Sequence, residues 1–378
     1  NIYCLLVLLG LYSCQSKDIV IEKNNFSIVV PGEESSAVLK AVDALALDFT
    51  KVMGTDTNPV SKVINKDRIN IVVVNEETTN AGSFPARLKP LEGFESHEIV
   101  VDKASNTIYL HGKDKRGTIY AIYSFSELFL EVPPLWYFCA WQPQSKERII
   151  ISSSYHYQKK TPQVKYRAWF PNDTDMFTPW KKLSADNNER YLETMLRLKL
   201  NTIELDASVG YPGIMTDLAN LVTDYGIIIT SHHHSALNNS LSKWPVYWER
   251  IRGMKAPKLL LANEDKLIEF WRYNIETVCK NNIENLWLLA FRGMGDRPFW
   301  ATFEDAPTDE KERGEVINRM LNIQLNLIRE ISGDQTPYAR ITFYDEMSDL
   351  LALGYLNPPK GENLIWTYVA ARRDHYPN

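Results

Sequence analysis

The chain has 378 residues, more than one average domain needs, and its 42 basic and 47 acidic side chains give a formal net charge of −5. That balance provides no counterion-release term, so nucleic acid is excluded as the expected partner. Four cysteines without a CxxC spacing indicate neither a disulfide framework nor a thiolate metal site. Ten Trp and nineteen Tyr supply flat faces of the kind that sugar rings pack on, alongside the aromatics any core requires.

Residues 1–17 hold an apolar run too short to span a bilayer that then turns polar, which reads as an export signal. The run leads into Leu11, Tyr12, Ser13 and Cys14 in the manner of a lipoprotein signal. The expectation is therefore an exported bacterial lipoprotein, periplasmic or outer-surface, attached to a membrane through a lipid on Cys14. An ordinary cleaved signal is the alternative, because Tyr12 is bulkier than the residue usual there.

Residues 18–150 read as a small α/β domain. Strand-like runs occur at DIVIE, FSIVV, INIVVV, HEIVVD and TIYLHG, with one helix over Ser35–Met53 and another beginning at Asp114. The polar, proline-bearing stretch from Ser152 to Gln163 marks a boundary.

From 161 to 378 the pattern changes to regular alternation. Apolar strands at VKYRAWF, NTIELD, GIIITS, NLWLLAF, YARITFY and LIWTYV are separated by helical segments at Asn187–Leu200, Ile214–Tyr225, Glu264–Asn281, Lys311–Ile331 and Glu346–Leu353. Buried strands alternating with helices indicate a parallel α/β fold. The spacing predicts a (β/α)8 TIM barrel as catalytic domain, incomplete in that six βα units are present and the chain stops about two strands early. An open doubly wound sheet is the alternative, but no glycine-rich phosphate loop follows the first strand.

In a parallel barrel the chemistry lies beyond the carboxyl ends of the strands. Here those ends carry Asn172, Asp173 and Asp175, then Asp206, then His232 to His234, then Arg292 and Asp296, then Tyr344, Asp345 and Glu346, and last Trp366 with Arg372 and Arg373. Acids from several separate strand ends are what glycoside hydrolysis requires, one to protonate the leaving oxygen and one to attack or to activate water. Any single one of them is equally compatible with a helix N-cap.

The three histidines admit more than one reading. Strand alternation points His232 and His234 one way and His233 the other. A zinc site would need a third ligand and carboxylate support from Asp206 or Asp296, yet no further histidine follows until His375. No metal and no cofactor are therefore assigned, and hydrogen bonding to substrate is the expected role.

The stretches DKRGTIYAIYSFSELFLEVPPLW, YRAWFPND, LETMLRLKLNTI, DYGIIITSHH, EFWRYNIE, RGMGD and FYDEM together resemble glycoside hydrolase family 115, the xylan α-1,2-glucuronidases, over roughly Lys113 to Trp366. The resemblance implies an inverting enzyme that removes glucuronic acid or its 4-O-methyl form from xylan. The family's Asn-Asp falls on Asn172 and Asp173, its His pair on His232 and His233, its Arg-Gly-x-Gly-Asp on Arg292 to Asp296, and its glutamate on Glu346.

On that basis Asp296 and Glu346 are the expected catalytic pair. Asn172, Asp173, Asp206, His232, His233, Arg292 and Trp366 are the expected substrate contacts. Arg292 has two readings, a clamp for the uronate carboxylate or a clamp for Asp296. The expected partner is an oligo- or polysaccharide.

The chain departs from the family pattern at His234 and Thr174, where the family has Glu, and at Asp206 to Val209, which replace Pro-Ala-Met-Trp. It also has Tyr368, Val369 and Ala370 in place of an Asp-Asp-Asn type sequence. These departures leave open a different sugar, or a carbohydrate-binding homologue without turnover. A metal-dependent hydrolase built on the histidine cluster is a third reading.

Overall fold

The structure is a computed structural model that describes residues 18–55, 59–80, 83–171, 180, 182–184 and 186–369. The signal-like segment 1–17 and its Cys14, together with Asn172, Asp173, Asp175, Arg372 and Arg373, lie outside the described residues. Two units are present, Asn1–Gln163 with Leu196–Leu198, and Val164–Met195 with Lys199–Asn378.

In the first unit, β1 (Ile19–Glu22) pairs antiparallel with β7 (Arg148–Ile151). The remaining strands form a six-stranded mixed sheet in the order β3-β2-β4-β6-β5-β8. They are β2 (Phe26–Val29), β3 (Val60–Ser61), β4 (Ile69–Asn75), β5 (His97–Asp102), β6 (Thr107–Gly112) and β8 (His156–Lys159). Helix α1 (Ser36–Met53) buries Val38, Ala41, Val42, Leu45, Phe49 and Val52, one apolar stripe at helical spacing. Ser35 caps its first turn, accepting from the Val38 N–H, and Gly54 in the left-handed region ends it. Helix α2 (Lys115–Phe125) is capped by Asp114, whose carboxylate accepts from the Gly117 N–H at 2.8 Å. The polar segment read as a boundary thus contributes β8, an edge strand paired antiparallel with β5. Hydrophilic edge strands are easily taken for linkers, because only one side of the ladder is covered.

The second unit holds β9 (Ala168–Trp169), β10 (Thr202–Leu205), β11 (Ile228–Ser231), β12 (Trp287–Leu289), β13 (Ala339–Tyr344) and β14 (Leu364–Val369). Between them lie α3 (Asn187–Arg197), α4 (Asp217–Asp224), α5 (Trp244–Arg250), α6 (Glu264–Lys280), α7 (Glu310–Ser332) and α8 (Glu346–Ala352). All strand pairings are parallel and consecutive within two three-stranded sheets, β9 to β11 and β12 to β14. Among the described residues a single bridge joins them, in which the Ile229 N–H donates to the Glu284 carbonyl at 3.0 Å and the Leu286 N–H to the Ile229 carbonyl at 2.8 Å. Ile341 and Phe343, both fully buried, alternate along β13 with Arg340, Thr342 and Tyr344.

The strand count of the incomplete barrel expected from sequence is observed, but a closed barrel is not. Six strands curl without closing, and among the described residues β9 and β14 each have a strand partner on one side only. The curl itself is visible in Arg340 of β13. Its guanidinium donates to Thr230 Oγ1 at 3.0 Å, to the Ser231 carbonyl and to the Glu204 carboxylate, so side chains of β10, β11 and β13 converge on one interior. Helix α5, which the sequence reading did not place, begins with Pro in its first turn and buries Trp244, Tyr247 and Trp248.

Arg340 is 8% exposed, and a buried guanidinium is tolerable only when it is paired. Burial pushes the Glu204 carboxyl above its ordinary value while Arg340 pulls it down. Replacing Arg340→Met strands Glu204 and should lower unfolding stability by about 3–5 kcal/mol, as removal of one partner of a buried pair typically does. The double variant with Glu204→Leu should recover most of that loss. Denaturant titration of the three proteins checks this, and equal stability of wild type and Arg340→Met would contradict it.

Candidate active site

Four of the residues expected at the strand ends meet in one hydrogen-bonded group. Arg292, three residues past β12 and 4% exposed, donates through Nε to Glu346 Oε1 at 2.8 Å and through Nη2 to Glu346 Oε2 at 2.9 Å. Its Nη1 donates to Asp296 Oδ1. His233 Nε2 reaches the same Asp296 oxygen at 2.8 Å. One guanidinium therefore carries both candidate catalytic acids, and their nearest oxygens are at most roughly 8 Å apart, two hydrogen bonds plus the width of the guanidinium. Arg292 thus holds both carboxylates, using Nε, Nη1 and Nη2 for one hydrogen bond each.

Local backbone geometry brings these groups together. In the RGMGD turn the Gly293 N–H donates to the Arg297 carbonyl at 2.7 Å, and a Cβ on Gly293 would stand 2.8 Å from the Pro298 carbonyl oxygen. Only glycine fits there, and the tight turn folds Asp296 back onto Arg292. Asp296 has φ +59° and Asp345, beside Glu346, has φ +45°. Non-glycine residues in such conformations cost about 1–3 kcal/mol each and persist where surrounding contacts over-determine them. Behind Arg292, the buried Gln324 side chain of α7 takes both backbone groups of Ala290, accepting its N–H at 3.0 Å and donating to its carbonyl at 2.7 Å.

Tyr344, at the end of β13, forms a platform under the group. Its ring stacks on His233 at 4.2 Å and lies 4.8 Å from the Arg292 guanidinium carbon. The sequence places Tyr344 at a strand end, but nothing in its type or spacing marks it as a support for both.

The two acids differ in environment. Glu346 is 7% exposed, and its burial pushes the carboxyl above its ordinary value while the Arg292 hydrogen bonds pull it back. The Asp296 side chain is 40% exposed, and its Oδ1 already accepts from two donors.

Burial pushes the His233 ring down to about 4, against the pull of Asp296, and the His232 ring down to about 3. Both rings are therefore neutral near pH 7, and the cationic imidazole that would favour an anionic ligand is not found here. Neutral His233 donates its Nε2 proton to Asp296, since a carboxylate only accepts.

His232, His234 and Asp206 form a second group beside the first, with the His232 and His233 rings 3.9 Å apart. All three histidines lie just beyond β11, and the His232 ring stands 3.9 Å from that of His233 and 4.4 Å from that of His234, so strand alternation does not separate them. Asp206, with its side chain 76% exposed, accepts from Ser235 Oγ at 3.2 Å.

Trp366 is not brought to this site. It is in register with Ile341 and packs edge-on against Phe343 at 5.5 Å, on the opposite face of the sheet from Arg340 and Thr342. Thr367, its neighbour, faces the interior and meets Thr342 Oγ1 at 2.9 Å.

Glu346 supplies a pH signature. Its folded value lies above its ordinary one, so the stability it contributes is present below the ordinary carboxylate value and lost as pH rises through the raised folded value. Unfolding free energy measured against pH should show that loss in wild type relative to Glu346→Gln. A difference between the two proteins that stays flat across the window would contradict the assignment.

The family model of glycosyl hydrolase family 115 matches residues 159–373. Among solved structures, a family 115 4-O-methyl-α-glucuronidase with specificity for decorated arabinogalactans superposes with a TM-score of 0.73 at 23% identity, over 92% of this chain and 46% of that one. The chain thus spans less than half the length of that relative. The Streptomyces plicatus N-acetyl-β-hexosaminidase has a TM-score of 0.54 at 11% identity, over 95% of this chain and 68% of its own. The Flavobacterium johnsoniae chitobiase has 0.53 at 12%, over 92% and 52%. At these identities the likeness is one of fold. No curated protein matches the sequence.

Proposed function

The chain belongs to glycosyl hydrolase family 115, and on that premise we propose that it is a glycosidase releasing α-1,2-linked glucuronic acid or 4-O-methylglucuronic acid from a plant polysaccharide, xylan first. The observation that carries this reading is the sharing of Arg292 by Asp296 and Glu346.

Glycosidases separate their two carboxyl roles by environment, a buried acid holding its proton and a solvated carboxylate staying ionised. Glu346, buried and pushed up, is the general acid for the departing glycosidic oxygen. Protonating one of its oxygens gives up one of two Arg292 hydrogen bonds and leaves the other. Asp296, open to solvent and with Oδ2 free of the donors that hold Oδ1, is the base that deprotonates the attacking water. Inversion requires the two carboxyls about 6.5–9.5 Å apart and retention about 5–5.5 Å. The limit of roughly 8 Å set by the shared guanidinium admits inversion, which the family resemblance favours.

The related structure is named for decorated arabinogalactans, so the uronic acid, rather than the polymer beneath it, is the common element. Export as a lipoprotein through Cys14 belongs to the same reading, since plant polysaccharides are met outside the cell.

Asp296→Asn and Glu346→Gln should each lower kcat by about 10²–10⁴-fold on a glucuronic-acid-bearing xylo-oligosaccharide. An aryl glucuronide, whose leaving group needs no protonation, should restore Glu346→Gln and not Asp296→Asn. Near-normal turnover of the oligosaccharide by both variants would remove the assignment. A second reading, a carbohydrate-binding homologue, is favoured by Tyr368 to Ala370 replacing the family's acids and amide. Calorimetric binding of the oligosaccharide by wild type, with no product on long incubation, would select it.

A further inference from the structure

Beside the shared guanidinium, His232 is a buried side chain, 8% exposed. Among the described residues neither its Nδ1 nor its Nε2 has a hydrogen-bond partner. Buried polar atoms are almost always satisfied, and one that is not calls for a strained, catalytic or ion-binding explanation. An imidazole nitrogen without a hydrogen-bond partner offers a lone pair to a Lewis acid.

That lone pair has company. One ligand atom each from His232, His234 and Asp206 lie within 4.8 Å of one another. His234 Nε2 stands 3.3 Å from Asp206 Oδ1. In tetrahedral coordination, metal–ligand bonds of 2.0–2.2 Å put neighbouring ligand atoms about 3.4 Å apart, so this pair is already at coordination spacing.

Ser235 orients the pair. Its hydroxyl donates to Asp206 Oδ1 at 3.2 Å and lies 3.2 Å from His234 Nδ1. With its one proton directed to Asp206, Ser235 Oγ is left to accept from His234 Nδ1, which leaves Nε2 as the ring nitrogen turned to Asp206 Oδ1. The outer contact that fixes a ligating imidazole's tautomer is thus present.

We propose that His232, His234 and Asp206 form a binding site for one late first-row divalent cation of the zinc class. Two imidazoles and one carboxylate are borderline-soft donors that suit zinc, cobalt or nickel, and disfavour magnesium and calcium, which take oxygen. Asp206 is exposed, so the cation has an entry path and a fourth position open to water or a ligand oxygen. The sequence reading assigned no metal because the third histidine it sought is absent; Asp206 from the neighbouring strand end supplies that ligand instead. The site does not depend on the proposed glycosidase activity, and its test reads metal rather than turnover.

Untagged full chain, stripped with a chelator, is titrated with Zn²⁺ by calorimetry, and with Co²⁺ by visible absorption. One equivalent per chain and an intense four-coordinate Co²⁺ spectrum are expected. His234→Ala and Asp206→Asn should each weaken binding at least 100-fold, Ser235→Ala about 10–100-fold, and His156→Ala, a histidine of the first unit, should leave it unchanged. Because His232 is buried, the solvent-reaching ligands His234 and Asp206 are the decisive positions, with circular dichroism confirming that both variants fold. Less than 0.1 equivalent bound by wild type, or binding unchanged in His234→Ala, would overturn the proposal.

Discussion

The site rests on one buried cation that two acids share. Arg292 is almost wholly removed from water, and an unpaired guanidinium there would be prohibitive. Glu346 takes its Nε/Nη2 edge in a bidentate pair and Asp296 takes Nη1. The strained φ of Asp296 and of Asp345, the glycine that lets the RGMGD turn close, and the hold of Gln324 on Ala290 all bring the carboxylates to that one group. His233 and Tyr344 complete the enclosure without adding charge.

This arrangement has an electrostatic consequence for an anionic sugar. One guanidinium and two ionised carboxylates leave a net negative charge that would repel a uronate. A proton on Glu346, which its burial favours, brings the group to neutrality and leaves the acid in its working form. Binding of an anionic sugar and readiness for proton donation then require the same ionisation state. The same principle of a buried, paired arginine recurs at Arg340, which ties β13 to Glu204 of β10 and draws the sheet into its curl.

Much of this was legible in the sequence, because periodicity and strand-end position follow from the chain alone. The six parallel strands, the long helices α6 and α7, and the placing of Arg292, Asp296, His233 and Glu346 at strand ends all follow from it. What sequence could not give was anything set by long-range contact. Barrel closure is a pairing between distant strands, so the local pattern gives the count of six strands and not how they pair across the curl. Trp366 reads as a strand-end aromatic until register with Ile341 puts it on the face opposite Arg340 and Thr342. The choice between the two roles of Arg292, the support from Tyr344 and Gln324, and the joining of Asp206 to His234 depend on side-chain geometry across strands.

The most direct measurement of the central claim is a crystal structure of the Glu346→Gln protein soaked with a 4-O-methylglucuronic-acid-bearing oligosaccharide. The account predicts density for the uronic acid with its glycosidic oxygen in hydrogen-bond reach of residue 346, and its anomeric carbon facing a water held by Asp296. A sugar bound elsewhere, with Arg292 and Asp296 still paired and untouched, would contradict it.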